Sequence, residues 1–316
     1  MLKFIINRVL LMIPILLGVS LVTFIIVRSI PGDPVRVLIG MDQRATPEQI
    51  DNIRRAYGLD QPLPVQYLRW MSHVLQGDLG SSLRTTRPLT TELGLRLPVT
   101  AELTVLAAVL GTIPALVFGV LAALRRNTRF DWLTTAFTMI GISVPNFLLA
   151  TVLVLLFSFR LKWLPPVGYT PFTEDPIQNL KTMVLPAISL AMPFMAIMMR
   201  FTRSSVLEVI GQEYVRVARA KGLPQRRVLL RHILPNAGIP ILTIAGIQVA
   251  ALLGGTVIVE QIFGLPGVGR YIYEAIANRD YPVVQSVVLV MATIFVMVSL
   301  VVDVLYAVLD PRLRTG

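Results

Sequence analysis

Six stretches of the chain, Val9–Val27, Leu103–Leu124, Trp132–Phe159, Met183–Met199, Ala237–Val259 and Pro282–Val302, contain no Asp, Glu, Lys or Arg. A helix rising about 1.5 Å per residue needs roughly 20 apolar residues to cross about 30 Å of hydrocarbon. Each stretch therefore reads as a membrane span. Only 15% of the residues are charged and 54% are hydrophobic, against about 25% charged in an ordinary soluble domain. A soluble chain of this length would need a charged shell, whereas here the charges are gathered between the stretches. The predicted fold is all-α: an integral membrane protein with six transmembrane helices.

Orientation follows from the arginines and lysines of the short loops, which concentrate on the cytoplasmic side. Arg125, Arg126 and Arg129 lie between spans two and three. Arg200, Arg203, Arg216, Arg219, Lys221, Arg226, Arg227 and Arg231 lie between spans four and five. Both loops are expected in the cytoplasm, and so are both termini, with Lys3 and Arg8 at one end and Arg312 and Arg314 at the other. The loop after span one also carries Arg36, Arg44, Arg54, Arg55 and Arg84, but it runs from Arg28 to Glu102, beyond the roughly 60 residues within which the charge rule operates. The first stretch is expected to be a retained anchor rather than a cleaved signal. Its apolar part exceeds the usual 7–15 or so residues, and no small-x-small site follows at Arg28–Pro31.

The long external loop has local order. Thr46, Pro47 and Gln49 form a capping-box pattern with proline at the first helical position, and Gly58 closes that helix. A second helix is predicted over Pro64–Gly77, making a small cap suited to a soluble partner. The organisation expected is an anchor helix plus external loop over residues 1–102, then a five-helix core over residues 103–316 with a cytoplasmic loop at 200–236. Prolines 14, 114, 145, 186, 193 and 240 fall inside the spans, where bends are expected because neighbouring helices can satisfy freed carbonyls. Gly246, Ala250 and Gly254 make a small-residue stripe on span five, suited to close packing within the chain or to a seam with another subunit.

Several chemistries are excluded by what the chain lacks. With no cysteine there is no disulfide, thiolate metal site or cysteine nucleophile. The two histidines, His73 and His232, fall on opposite sides of the membrane in this topology and cannot share a metal or a proton. The net charge of +11 is not interleaved with aromatics on one polar domain, so nucleic acid is not an expected partner. Phe263–Arg270 reads FGLPGVGR, but its spacing fits no phosphate loop, and no Gly-Lys pair followed by Ser or Thr occurs. Metal and cofactor sites are expected to be absent, and the chain is not expected to hydrolyse ATP. A carrier driven by an ion gradient would place ionisable groups near mid-membrane. None falls there; Asp303 and Glu260 sit at span ends, where hydration or a neighbouring cation can accommodate them in structural roles. The energy for transport must come from another polypeptide. A membrane-embedded enzyme or receptor would need polar clusters at span ends, which the sequence does not offer.

The segment Gln212–Pro235 reads QEYVRVARAKGLPQRRVLLRHILP. Good helix formers over Glu213–Lys221 stop at Gly222, and helix restarts after Pro224. Ala218, Ala220 and Gly222 keep the turn slim enough to enter a groove on a partner, while Arg216, Arg219 and Lys221 supply charged handles. An amphipathic helix lying on the membrane surface is the plainer alternative. This segment resembles the cytoplasmic loop of ABC importer permeases, whose pattern is Glu-Ala-Ala, three residues, Gly, and later Ile-x-Leu-Pro. Ala218, Gly222, Leu234 and Pro235 match it, while Arg216, Val217 and His232 depart from it. The departures are similar to those of the dipeptide, oligopeptide and nickel branch, where Y-[IV]-R-x-A-R-A-K-G replaces the general motif, as in Tyr214–Gly222. The same branch is resembled by PGDP at Pro31–Pro34, GLDQPLPVQYLRWMSHVLQGDLGS at Gly58–Ser81, VEQIFGLPGVGR at Val259–Arg270, NRDYPVVQ at Asn278–Gln285 and DVLYAVLDP at Asp303–Pro311. The likeness covers nearly the whole chain and points to the permease subunit with the long external loop.

The resemblance implies a type I ABC importer permease fold in a prokaryotic inner membrane, importing di- or oligopeptides, with nickel or glutathione as the alternative cargo. It implies as partners a second homologous permease, two cytoplasmic ATPase subunits that carry ATP and Mg, an extracytoplasmic solute-binding protein, and membrane lipid. By analogy Tyr214, Arg216, Ala218, Arg219, Lys221, Gly222, Leu223 and Pro224 form the coupling helix seated in an ATPase groove.

Overall fold

A computed structural model describes residues 2–29, 48, 51, 55 and 60–309. Thr46, Pro47, Gln49 and Gly58, which carry the capped helix expected in the external loop, lie outside the described residues, as do Pro31–Pro34, Arg312 and Arg314. The elements are α1 (Leu2–Ser29), α2 (Leu63–Leu75), α3 (Leu89–Leu124), α4 (Arg129–Ser143), α5 (Asn146–Leu153), α6 (Pro176–Ile210), α7 (Glu213–Ala220), α8 (Gln225–Val228), α9 (Leu234–Phe263), α10 (Val268–Ala277) and α11 (Tyr281–Leu309). Two π-helical turns, Val154–Arg160 and Leu229–Ile233, continue α5 and join α8 to α9. Among the described residues the one piece of strand-like pairing is an isolated antiparallel bridge between Ser81 and Pro88. The all-helical expectation holds.

Five helical runs are long and apolar enough to cross a membrane: Ile5–Ser29, Leu89–Leu124, Pro176–Ile210, Gln225–Phe263 and Tyr281–Leu305. The third predicted span, Trp132–Phe159, differs. It is two runs, Arg129–Ser143 and Asn146–Arg160, bent by 98° at their junction, and the count reaches six only if the bent pair is one span. Proline is the cause. The residue before a proline is pushed out of the helical region, and Val144 adopts φ −85°, ψ 117° ahead of Pro145 at φ −60°, ψ 141°. Pro14, Pro114, Pro186, Pro193 and Pro240 lie within continuous helices instead. The helix predicted over Pro64–Gly77 is α2, closed by Gln76 and by Gly77 at φ +84°.

The chain forms two compact units that interleave in sequence. The first comprises Met1–Ile6, Thr100–Leu265 and Met297–Gly316, and the second Asn7–Val99 and Pro266–Val296. In the first unit α6 is the central helix: 67% of its apolar stretch is buried, against 28% for α3 and 22% for the run containing α9. Glycines let its neighbours come close. A Cβ on Gly119 of α3 would lie 2.9 Å from the Met199 carbonyl oxygen of α6, and one on Gly246 of α9 would lie 2.7 Å from the Val302 methyls of α11. The stripe on span five is therefore divided: Gly246 serves packing within the chain, Ala250 is buried, and Gly254 faces open space.

The second unit has its own apolar core, in which Leu89 and Leu93 from α3 meet Val268, Tyr271 and Ala275 from α10 and Val283 and Val287 from α11. An aromatic group fixes α2 against α1: Phe24 lies edge-on to Tyr67 at 5.5 Å between ring centroids and stacks with Trp70 at 6.3 Å. The Ser20 and Tyr67 hydroxyls share a hydrogen bond of 2.8 Å beside them.

Candidate coupling site

The segment between α6 and α9 is built by a succession of local stops. α6 ends at Gly211, and Gln212 at φ −71°, ψ 149° turns the chain out of helix before α7 begins. The two turns of α7 stop at Lys221, and Gly222 follows at φ +74°, a left-handed conformation that costs any residue with a Cβ about 1–2 kcal/mol. There the Gly222 N–H donates to the Arg219 carbonyl at 2.9 Å and the Leu223 N–H to the Ala218 carbonyl at 3.4 Å, closing the helix end on itself. Pro224, at φ −61°, ψ 142°, starts α8. Two short helices around a slim turn are what the sequence predicts, and they are present.

The turn has two faces. Val215 and Ala218, three residues apart on α7, are buried together with Val228 of α8. The opposite face carries Tyr214 and Val217, 44% and 52% exposed, beside Arg216, Arg219, Ala220, Lys221 and Gly222. Of the eight predicted coupling residues, seven reach the surface fully or in part, and Ala218 does not. Its small side chain keeps the turn close to its own support. Val217, which the motif comparison treats only as a departure, is the apolar residue most open to a partner. The cations on this face form no ion pair among the described residues.

A partly buried ion pair ties the start of α4 to α6. The Arg203 guanidinium donates through Nε to Asp131 Oδ1 at 2.5 Å and through Nη2 to Oδ2 at 2.9 Å, and the Asn127 N–H reaches the same carboxylate at 2.9 Å. Two parallel charge-assisted bonds hold a planar fork in one orientation. The arginine stands two turns before the end of α6. A cavity of about 270 Å³ beside it is lined by Thr134, Thr135 and Thr138 of α4 and by Arg200 and Arg203 of α6.

The acidic group expected at the end of span five, Glu260, lies in the last turn of α9. Glu260 is fully buried, and its Oε1 accepts from the Thr100 hydroxyl at 2.7 Å. In the connection before α6, the Tyr169 hydroxyl donates to Glu102 Oε2 at 2.8 Å; burial, aided by this hydrogen bond to a carboxylate, pushes its pKa up to about 12. Among the described residues no group of three or more His, Asp or Glu side chains could hold a metal.

Residues 1–104 match the family described as binding-protein-dependent transport system membrane component, N-terminal, and residues 115–315 match the binding-protein-dependent transport system inner membrane component. The chain belongs to that family. As a permease of this kind it is 41% identical to the dipeptide transport system permease protein DppB of Alkalihalophilus pseudofirmus, over 99% of this chain and 100% of the relative. It is 39% identical to the oligopeptide transport system permease protein AppB of Bacillus subtilis, over 99% and 100%. It is 40% identical to the glutathione transport system permease protein GsiC of Salmonella paratyphi A, over 99% of both. The permease also shares its fold with the MetNI methionine ABC transporter in an inward-facing conformation, with a TM-score of 0.59 at 18% identity, covering 72% of this chain and all of the other. It is thus an inner-membrane component of an ABC importer with a type I fold.

Proposed function

We propose that this permease imports di- and oligopeptides, and that α7 with the turn to α8 is the contact through which separate ATPase subunits drive it. The observation that carries the reading is the two-faced turn at Gly222: an inner face of Val215, Ala218 and Val228 rooted in the protein, and an outer face of Tyr214, Val217, Arg216, Arg219 and Lys221 left open. Cations with no carboxylate of their own and apolar side chains raised among them are the composition of a protein contact. On this reading the basic loops and both termini face the cytoplasm, where two ATPases bring ATP and Mg. A second, homologous permease completes the pathway, and an extracytoplasmic binding protein delivers solute to the opposite face. ATP-driven closure beneath the turn then moves α6 and, through Asp131–Arg203, α4. Peptide cargo is supported by the dipeptide and oligopeptide permeases at about 40% identity. The glutathione permease at 40% keeps a small γ-linked peptide as the second reading.

The test is uptake in proteoliposomes holding the whole complex, with ATP hydrolysis followed in parallel. Gly222→Val should assemble but hydrolyse ATP without uptake. Gly222→Asn, which tolerates the left-handed conformation, separates backbone strain from loss of slimness. Normal uptake by the valine variant would end the assignment of this turn to coupling.

A further inference from the structure

Where α3 and α6 end beside the coupling segment, a groove of about 580 Å³ opens. Its apolar lining includes Leu124 at the end of α3, Leu207 and Ile210 at the end of α6, and Leu223 from the turn; its polar lining is Arg126, Arg219 and Gln225. Neither guanidinium forms an ion pair among the described residues. Glu208, Glu213 and Asp131 do not line the groove; Asp131, whose carboxylate feels the charge of Arg126, is bonded through both oxygens to Arg203. The contrast with the cavity beside α4 is direct, since the Arg203 that lines that cavity is committed to Asp131.

Two like charges lining one groove repel, and an anion between them removes the repulsion. The last residues of two spans fix its depth, where hydrocarbon gives way to headgroups, and this holds whichever side the loop faces. We infer that the groove binds one anionic glycerophospholipid, its phosphate held between Arg126 and Arg219 and its glycerol and first methylenes lying on Leu124, Leu207 and Ile210. Guanidinium matches phosphate by paired N–H donation, and basic pockets at helix ends favour anionic headgroups for the same reason. The groove shares Arg219 with the outer face of α7, while Tyr214, Arg216, Val217 and Lys221 of that face do not line it.

The experiment is native mass spectrometry of the intact complex, delipidated and then titrated with phosphatidylglycerol or phosphatidylcholine. One phosphatidylglycerol per copy of this chain should survive delipidation, and phosphatidylcholine should not replace it. Arg126→Gln with Arg219→Gln should weaken retention about 30-fold, and Arg126→Gln alone about fivefold. Arg160→Gln with Lys162→Gln, an equal loss of charge at the far end of α5, should leave it unchanged. Arg126→Gln alone carries the test if the double variant does not assemble. Unchanged retention in the groove variants overturns the proposal. So does displacement of the lipid by millimolar inorganic phosphate, which would mark a free-anion site, or a photo-crosslink from position 124 that lands on the ATPase chain. Each of these outcomes is independent of whether Gly222 couples ATP hydrolysis to uptake.

Discussion

The coupling segment Glu213–Val228 and the turn Gly80–Arg87 are both short connections rich in polar residues, and they treat their charges in opposite ways. In the second, Asp280 is buried and accepts from the Ser82 hydroxyl at 2.5 Å and the Leu83 N–H at 3.1 Å, while Ser82 Oγ takes the N–H groups of Arg84 and Thr85. Glu92, also buried, is bracketed by Arg87 and Arg96, and the Arg96 guanidinium lies over the Tyr271 ring at 4.3 Å. Both buried carboxylates are met from within the chain. In the coupling segment Arg216, Arg219, Lys221, Arg226 and Arg227 are exposed and form no ion pair among the described residues. Charges satisfied internally hold a shape. Charges left open wait for something outside the polypeptide.

That contrast can be broken most forcefully at Asp280. Removing a buried carboxylate that serves several donors leaves those donors unsatisfied, so Asp280→Ala should cost about 3 kcal/mol, read as a lowered midpoint in detergent-solubilised unfolding. A midpoint equal to wild type would show that the turn is not held from within. The coupling segment should behave in the opposite manner. Arg216→Ala with Lys221→Ala is expected to change stability by less than about 0.5 kcal/mol while reducing ATP-driven uptake severalfold, measured by thermal melts beside transport assays. Loss of stability without loss of transport would reverse the assignment.

The smallest effect concerns two tyrosines. Burial, together with the charges of Glu92 and Asp280, pushes the Tyr271 hydroxyl up to about 12, and burial with Glu102 does the same for Tyr169. Both folded-state values lie above the ordinary value of about 10. The stability linked to their protons is therefore complete below about pH 10 and is lost as pH rises toward about 12. Tyr271→Phe with Tyr169→Phe should flatten the decline in stability across that window. An unaltered alkaline profile would locate the sensitivity elsewhere.

Much of the architecture is legible along the chain because hydrocarbon imposes a simple demand: long uncharged apolar runs become helices, and α1, α3, α6, α9 and α11 appear where such runs lie. The coupling turn is equally local. Gly222 and Pro224 set backbone angles by their own chemistry, so the two short helices around them follow from residue identity. Pro145 shows where local reasoning stops. Six prolines lie within predicted spans, and only this one breaks its helix, by 98°, which residue identity alone does not distinguish from the other five.

The sequence by itself determined that this protein is helical, lies in a membrane, and presents a slim basic turn, since hydropathy, glycine and proline act within a few residues of where they stand. The tertiary structure alone decided which polar groups meet. Asp131 finds Arg203, Thr100 finds Glu260 and Ser82 finds Asp280 across 72, 160 and 198 positions of chain. The same packing turned Ala218 inward and left Val217 outside. Contacts at such separations depend on how whole helices pack, and no residue carries a local mark of the partner that packing will bring to it.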